Sequence, residues 1–281
     1  MKLKRNKLTP AIIRNLLLLL TAFIYIVPFY IAVVNAFKKE KDIFTSPLGI
    51  PFKNLTMDNL VRNFNSPNFN VLKAYFFTIC LVIVTLILVT VISSMLSYIL
   101  SRNRTGFYKV AYMLLLAGLL IPIQVILIPI IQILKTINLM LTAPGLILLY
   151  IAWYMPFTTF VLTGYISTIS PQLDESAKMD GAGPLLIFFR IILPLMKPAL
   201  TSVAIFIMVW TWNDFITPLV IFGSSKYYTV TTGIYRAIGQ YTQKWDDVFA
   251  ILFYAITPMA ICYLWMQKYF ISGLTAGSVK S

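Results

Sequence analysis

Nine acidic residues serve a chain of 281, and three of them, Asp174, Glu175 and Asp180, fall within seven consecutive positions. They lie in a polar interruption, 171–198, between two long apolar runs, among small residues and four prolines. The chain holds no histidine, so there is no imidazole to shuttle protons or bind a metal. Carboxylates in that setting accept charge-assisted hydrogen bonds from basic groups, which is the chemistry of docking rather than of bond breaking. A fourth acid, Asp214, stands inside an apolar run beside Trp212 and Asn213. A carboxylate left facing lipid costs about 2.5–3.5 kcal/mol on insertion scales, so Asp214 is a second functional candidate.

Other chemistries lack their residues. No glycine-rich phosphate loop ending in Gly-Lys-Ser/Thr occurs, so this chain cannot itself hydrolyse ATP. No serine nucleophile with a histidine base can be assembled, and no His/Cys cluster offers a metal site. The two cysteines, Cys80 and Cys262, fall in apolar runs and read as buried hydrophobes, not as a disulfide. The net charge of +14 raises nucleic acid as a partner, but the cations are scattered without a basic stripe or stacking aromatics. They suit membrane interfaces better, where Lys and Arg favour the inner side.

The elements that must position these acids are spans. The chain is 59% hydrophobic and 11% charged, against about 25% charged in a soluble domain, which marks an integral membrane protein. A bilayer core of roughly 30 Å needs about 20 helical residues. Six runs meet that length: Asn15–Phe37, Tyr75–Leu100, Tyr108–Leu134, Thr142–Ile166, Ala199–Phe222 and Val248–Phe270. The first is too long for a signal-peptide core and is read as a retained span. Pro122 and Pro129 remove backbone donors within the third, so a kink or break is expected there, and Pro156 suggests the same in the fourth. Six spans put both termini on one side. Lys2, Lys4, Arg5, Lys7 and Arg14, with Arg102 and Arg104 in the second loop, assign that side to the cytoplasm; Lys38, Lys39 and Lys41 count against it. Segments 38–74 and 223–247 then face outward, the former as a small extracytoplasmic cap, and 167–198 is the sizeable inner loop.

Within that loop, Ser170 followed by Pro171 reads as an N-cap and first helical position, with Asp174 and Glu175 suiting the helix dipole. Gly181 can take a positive φ and end the helix. Gly183 and Pro184 open a second helix through Phe188 and Ile192, which Leu193 and Pro194 terminate. The result is a stiff pair of helices with carboxylates outward and Phe188 inward.

Glu175, Ser176, Ala177, Asp180, Gly181, Ala182, Phe188, Leu193, Pro194, Leu195 and Pro198 together resemble the EAA loop of binding-protein-dependent ABC importer permeases. Ser176 departs from the family's alanine. Gln267, Phe270, Gly273, Leu274, Thr275, Gly277 and Lys280 resemble the closing segment of the carbohydrate, maltose-type subfamily, and Trp212, Asn213, Asp214 and Phe215 resemble its Trp-Asn-acid-Phe segment.

The resemblance implies an all-α integral membrane fold: six transmembrane helices of the type I ABC importer permease, with a cytoplasmic coupling helix between spans 4 and 5. It implies three segments: 1–70 as tail, first span and cap, 71–270 as the transmembrane domain, and 271–281 as a cytoplasmic tail. By the same resemblance Glu175, Ser176, Ala177, Asp180, Gly181, Ala182, Phe188 and Pro194 couple to an ATPase, while Gly273, Thr275, Gly277 and Lys280 contact it from the tail. Asn213 and Asp214 could bond sugar hydroxyls with Trp212 or Trp210 stacking on the ring, or they could brace the span. The implied function is sugar or oligosaccharide import through the bacterial inner membrane. The implied partners are a second homologous permease, two ATP-binding cassette subunits that carry ATP and Mg, an extracytoplasmic solute-binding protein and membrane lipid, with no nucleic acid. The chain itself is a pore subunit without a cofactor. The competing readings are a permease for phosphate, a polyamine or an amino acid, and a stand-alone secondary transporter. The latter class usually shows internal repeats and several buried carboxylates, absent here.

Overall fold

The computed structural model describes residues 8–64, 69–103, 105–223, 225–240 and 244–276, with backbone alone for 8–12, 238–240 and 265–276. Among the described residues every regular element is a helix: α1 Leu8–Ala36, α2 Glu40–Thr45, α3 Asp58–Phe64, α4 Val71–Arg102, α5 Gly106–Ala117, α6 Ile123–Thr136, α7 Ala143–Ile166, α8 Gln172–Met179, α9 Pro184–Ile187, α10 Leu193–Leu195, α11 Lys197–Asn213, α12 Ile216–Phe222, α13 Val230–Gln240 and α14 Trp245–Ala276. Four stretches are long and apolar enough to cross a bilayer: Ile13–Ala36, Val71–Arg102, Ala143–Ile166 and Trp245–Leu264. Two further pairs pass the same test but are bent, Gly106–Leu120 with Ile123–Thr136 by 108° and Pro184–Leu195 with Lys197–Asn213 by 77°.

The third expected span is thus no straight rod. Its break falls at Pro122, which carries an extended ψ of 129° and follows a tight 3₁₀ turn at Gly118–Leu120. Pro129 is absorbed inside α6, and α7 runs uninterrupted through Pro156. The fifth, expected over Ala199–Phe222, is divided at Asp214 and Phe215 into α11 and α12. The segment 223–247, read as a loop, contains α13. That helix opens on a reciprocal cap: Thr229 N–H donates to Thr232 Oγ1 at 2.9 Å, and Thr232 N–H donates back to Thr229 Oγ1 at 3.4 Å.

The chain forms two compact units, 1–71 with 234–260, and 72–233 with 261–281. In the first, the expected cap is organised by a buried lysine. Lys38 is 1% exposed, and its ammonium donates to Asn35 Oδ1 at 2.9 Å, Ser46 O at 2.7 Å and Pro47 O at 3.4 Å. Burial pushes its pKa down, with Asp42 opposing. Arg62 on α3 bridges Asp246 at 3.0 Å and Asp247, both in the first turn of α14, where acids complement the helix dipole. Asn63 also donates to Asp247, at 2.6 Å, and Glu40 Oε1 accepts the Trp245 N–H at 3.2 Å.

In the second unit, α4 buries Ala74, Thr78, Leu81, Thr85, Val89, Ser93 and Ser97, a stripe at helical spacing made largely of small side chains that admit close neighbours. Ser97 Oγ donates to the Thr159 carbonyl of α7 at 3.2 Å. Cys80 points away from this stripe and is exposed, and both cysteines are free thiols. One core gathers Leu81, Val89, Leu127, Leu146, Tyr150, Ile207 and Phe222; another gathers Leu162, Ile166, Ala177, Ile187, Phe188, Ile192, Met196 and Val203. The turn before α7 presses onto its start. A Cβ on Gly145 would lie 2.1 Å from the Leu139 carbonyl oxygen, a backbone atom that cannot swing aside. Gly145→Ala is therefore expected to cost about 1–3 kcal/mol, typical of overpacking, read as a lowered Tm of the purified protein. An unchanged Tm would mean that the turn relaxes freely.

Candidate functional site

The polar interruption folds from local rules. Ser170 Oγ accepts the Gln172 N–H at 3.3 Å and Pro171 already holds helical angles (φ −60°, ψ −21°), so cap and first position stand where expected. At the other end of α8, Gly181 takes φ +82°. Its N–H donates to the Lys178 carbonyl at 3.0 Å and the Ala182 N–H to the Ala177 carbonyl at 2.9 Å, the paired bonds of a Schellman ending. Gly183 and Pro184 then open α9. Pro194 does not stop the second helix. The preceding Phe188–Ile192 is π-helical, a wider turn that eases the proline ring's clash, and the chain continues through α10 before turning at Met196.

Burial sorts the loop's side chains. Phe188 and Ala177 are buried, while Glu175, Ser176, Asp180 and Gly181 are exposed, with Ala182 half-buried and Pro194 exposed. Met179 and Leu185 stand in solvent beside them. The expectation that all the carboxylates face outward is overturned at one position. Asp174 is 4% exposed and held from α4. Arg102 reaches it with both edges of a fork, Nε to Oδ2 and Nη2 to Oδ1, each at 3.0 Å. The Tyr98 hydroxyl donates to Oδ2 at 2.7 Å, and Arg102 Nη1 donates to the Ile169 carbonyl at 3.0 Å. Among the described residues no side chain bonds the carboxylates of Glu175 or Asp180.

The second candidate region is a cavity of about 360 Å³ lined by Gly118, Leu119, Trp153, Tyr154, Phe157, Trp210, Asn213 and Asp214. Its aromatic walls pack on one another: Phe157 meets Trp210 edge-on at 4.9 Å, and Trp153 stacks on Tyr154 at 5.6 Å. Asp214 sits at the break between α11 and α12. Its Oδ2 accepts the Tyr150 hydroxyl at 2.9 Å, its Oδ1 accepts the Thr217 N–H at 3.3 Å, and its carbonyl accepts the Thr231 hydroxyl at 2.7 Å. The bracing expected as one alternative is therefore present, on a carboxylate that also faces the cavity.

Trp212 does not join Asn213 and Asp214 there. It is 7% exposed, with its ring 6.5 Å from Tyr75. Trp210 lines the cavity with Asn213 and Asp214 because residues three and four apart share a helix face, whereas Trp212 points to another.

The family model for the binding-protein-dependent transport system inner membrane component matches residues 93–275, which takes in the acidic loop, the cavity and most of α14. The chain belongs to this family.

Among its relatives, this permease is 33% identical over 272 residues to the multiple sugar-binding transport system permease protein MsmG of Streptococcus mutans, covering 95% of this chain and 96% of that one. It is 30% identical over 270 residues to the melibiose/raffinose/stachyose import permease protein MelC of Bacillus subtilis, covering 95% of each. A solved chain from a bacterial ABC transporter that imports the acidic polysaccharide alginate superimposes with a TM-score of 0.80 at 20% identity, over 96% of this permease and 99% of that chain. The permease is a multi-pass membrane protein of the ABC transporter class. No group of acids, cysteines or histidines among its described residues could hold a metal ion.

Gly273 and Thr275 fall on the last turns of α14, which runs to Ala276, past the expected start of a tail at 271. Gly277 and Lys280 lie outside the described residues. Sequence reasoning missed Tyr98 and Arg102 as partners of Asp174, and Tyr150, Tyr154 and Phe157 around Asp214. The available signal was a hydroxyl and a guanidinium four positions apart at the end of a span.

Proposed function

We infer that this permease carries a sugar or oligosaccharide across the membrane, driven by ATP that separate subunits hydrolyse. A second homologous permease completes the pathway, an extracytoplasmic binding protein delivers the solute, and two ATP-binding cassette subunits with ATP and Mg dock on the α8–α9 loop. The observation that carries the reading is the cavity: two indoles and a phenyl ring beside an amide and a carboxylate, in a chain whose relatives include permeases named for sugars. Aromatic faces pack on the C–H faces of a sugar ring while polar groups take its hydroxyls, a combination suited to concave small-molecule sites.

Transport follows from two states. The loaded binding protein favours the outward-open form while nucleotide-driven closure of the ATPases moves α8, so alternating access follows from differential binding to the two states. This reading places both termini and 167–198 in the cytoplasm, counts α5 with α6 as one crossing of six and α11 with α12 as another, and gives the end of α14 a contact with the ATPases. Glu175 and Asp180, exposed and without a side-chain bond among the described residues, support the docking role, and Gly181 shapes the turn between the arms.

The test is uptake by the reconstituted complex across a panel of sugars, phosphate, polyamines and amino acids. Sugar uptake is expected, and Trp210→Ala is expected to raise the half-saturating sugar concentration about 3- to 10-fold, the worth of one aromatic contact. Uptake of one of the other solutes, with none of any sugar, would overturn the assignment.

A further inference from the structure

Asp174 and Glu175 are neighbours with opposite environments, one buried against α4 and one free in solvent. We propose that Tyr98, Arg102 and Asp174 are positioning residues that lock the docking helix α8 to the end of α4, so that displacement of α8 moves that span. The proposal rests on the reading of α8 as the ATPase docking element and goes beyond it by naming what makes the lever rigid.

The geometry suits a lock. Arg102 is the last residue of α4, and its guanidinium makes three bonds to the segment entering α8: two to the Asp174 carboxylate and one to the Ile169 carbonyl. A planar fork on a carboxylate fixes angle as well as distance. Tyr98, one turn back along α4, takes the same carboxylate by its hydroxyl. Among the described residues α8 is further held by apolar packing, with Ala177 in the same buried cluster as Leu162, Ile166 and Phe188. Apolar contact resists separation but is non-directional, so it tolerates sliding and rotation. Without the lock, a push on Glu175 and Asp180 would be spent in turning α8 on its greasy bed. With it, α8 and the end of α4 move together. Phe188 packs against the Tyr98 ring at 5.6 Å, so the second arm of the loop meets the same point of α4.

Removing one charge alone would strand the other in a buried site and could spoil folding. The decisive variant therefore removes both, as Arg102→Met with Asp174→Leu, since apolar replacement of a buried pair is often neutral for stability. The complete complex, with its ATPases, partner permease and binding protein, is reconstituted in proteoliposomes. Sugar transported and ATP hydrolysed are measured together.

The double variant is expected to assemble and hydrolyse ATP while the sugar moved per ATP falls about tenfold, within the range by which substitutions shift coupling. Tyr98→Phe, which leaves the ion pair in place, is expected to lower the same ratio by about two- to threefold. A wild-type ratio in the double variant overturns the proposal, and so does a parallel loss of both activities at constant ratio, which a merely structural role would give. Should the double variant fail to assemble, Tyr98→Phe decides: a lowered ratio supports the lock and an unchanged one overturns it. The docking reading is checked separately by Glu175→Lys. Normal ATPase binding and transport in that variant would defeat the docking assignment itself, whatever the ratio in the other two.

Discussion

Uptake by Gly181→Val permease is expected to fall at least about tenfold, at an unchanged level of protein in the membrane. Gly181 sits at φ +82°. A left-handed conformation costs an L-residue about 1–2 kcal/mol, and a β-branched side chain makes it a genuine outlier. Apart from its chain neighbours, no heavy atom lies within 4 Å of a Cβ built there, so the loss comes mainly from the backbone. Valine would pull the turn toward negative φ and break both bonds of the Schellman ending, from Gly181 to Lys178 and from Ala182 to Ala177. The two arms of the loop then diverge by a wrong angle, displacing Glu175 and Asp180 from the positions the proposed docking requires. Asparagine tolerates the left-handed region, so Gly181→Asn should retain most of the uptake. Immunoblotting of membranes beside a sugar uptake assay checks both variants. Wild-type uptake by the valine variant would show that the turn does not matter.

Charge reversal at Glu175 is expected to act by a different route. The side chain is exposed and makes no bond within the chain among the described residues, so Glu175→Lys should leave the thermal stability of the purified permease within error. Its association with the ATPase subunits should weaken more than about 30-fold, since losing one member of a desolvated interfacial charge pair costs about 2–5 kcal/mol. Co-purification from membranes and a melting curve separate the two effects. A lowered Tm with normal association would contradict the docking role and make Glu175 a structural residue like its neighbour.

Much of this was legible in the residues. The Pro171 start, the Gly181 ending and the Gly183–Pro184 restart all depend on backbone geometry within a turn or two, and each stands where its residue type demands. Pro194 misled because its effect depends on the helix before it. In a regular α-helix it would break the turn, but the π-helical Phe188–Ile192 accommodates it. Pro122 and Pro129 lie in one apolar run, yet only Pro122 marks the break. Local rules say that proline strains a helix; the neighbours against which each segment packs say which strain is released as a bend. Gly118, lying against Pro156 where a Cβ would sit 3.4 Å from its ring, shows how close α7 comes to that break.

The sequence by itself determined a helical membrane chain, an acidic loop of two capped helices, and the family whose loop it matches. These follow from apolar run length, capping residues and motif spacing, all short-range. Only the tertiary structure decided that Asp174 turns inward while Glu175 turns out, and that Trp210 rather than Trp212 faces the cavity with Asp214. Adjacent residues on a helix point about 100° apart, so identity and spacing leave the choice of face open. Arg102, 72 positions before Asp174, and Tyr150, 64 before Asp214, made that choice, through contacts that exist only once the helices have packed.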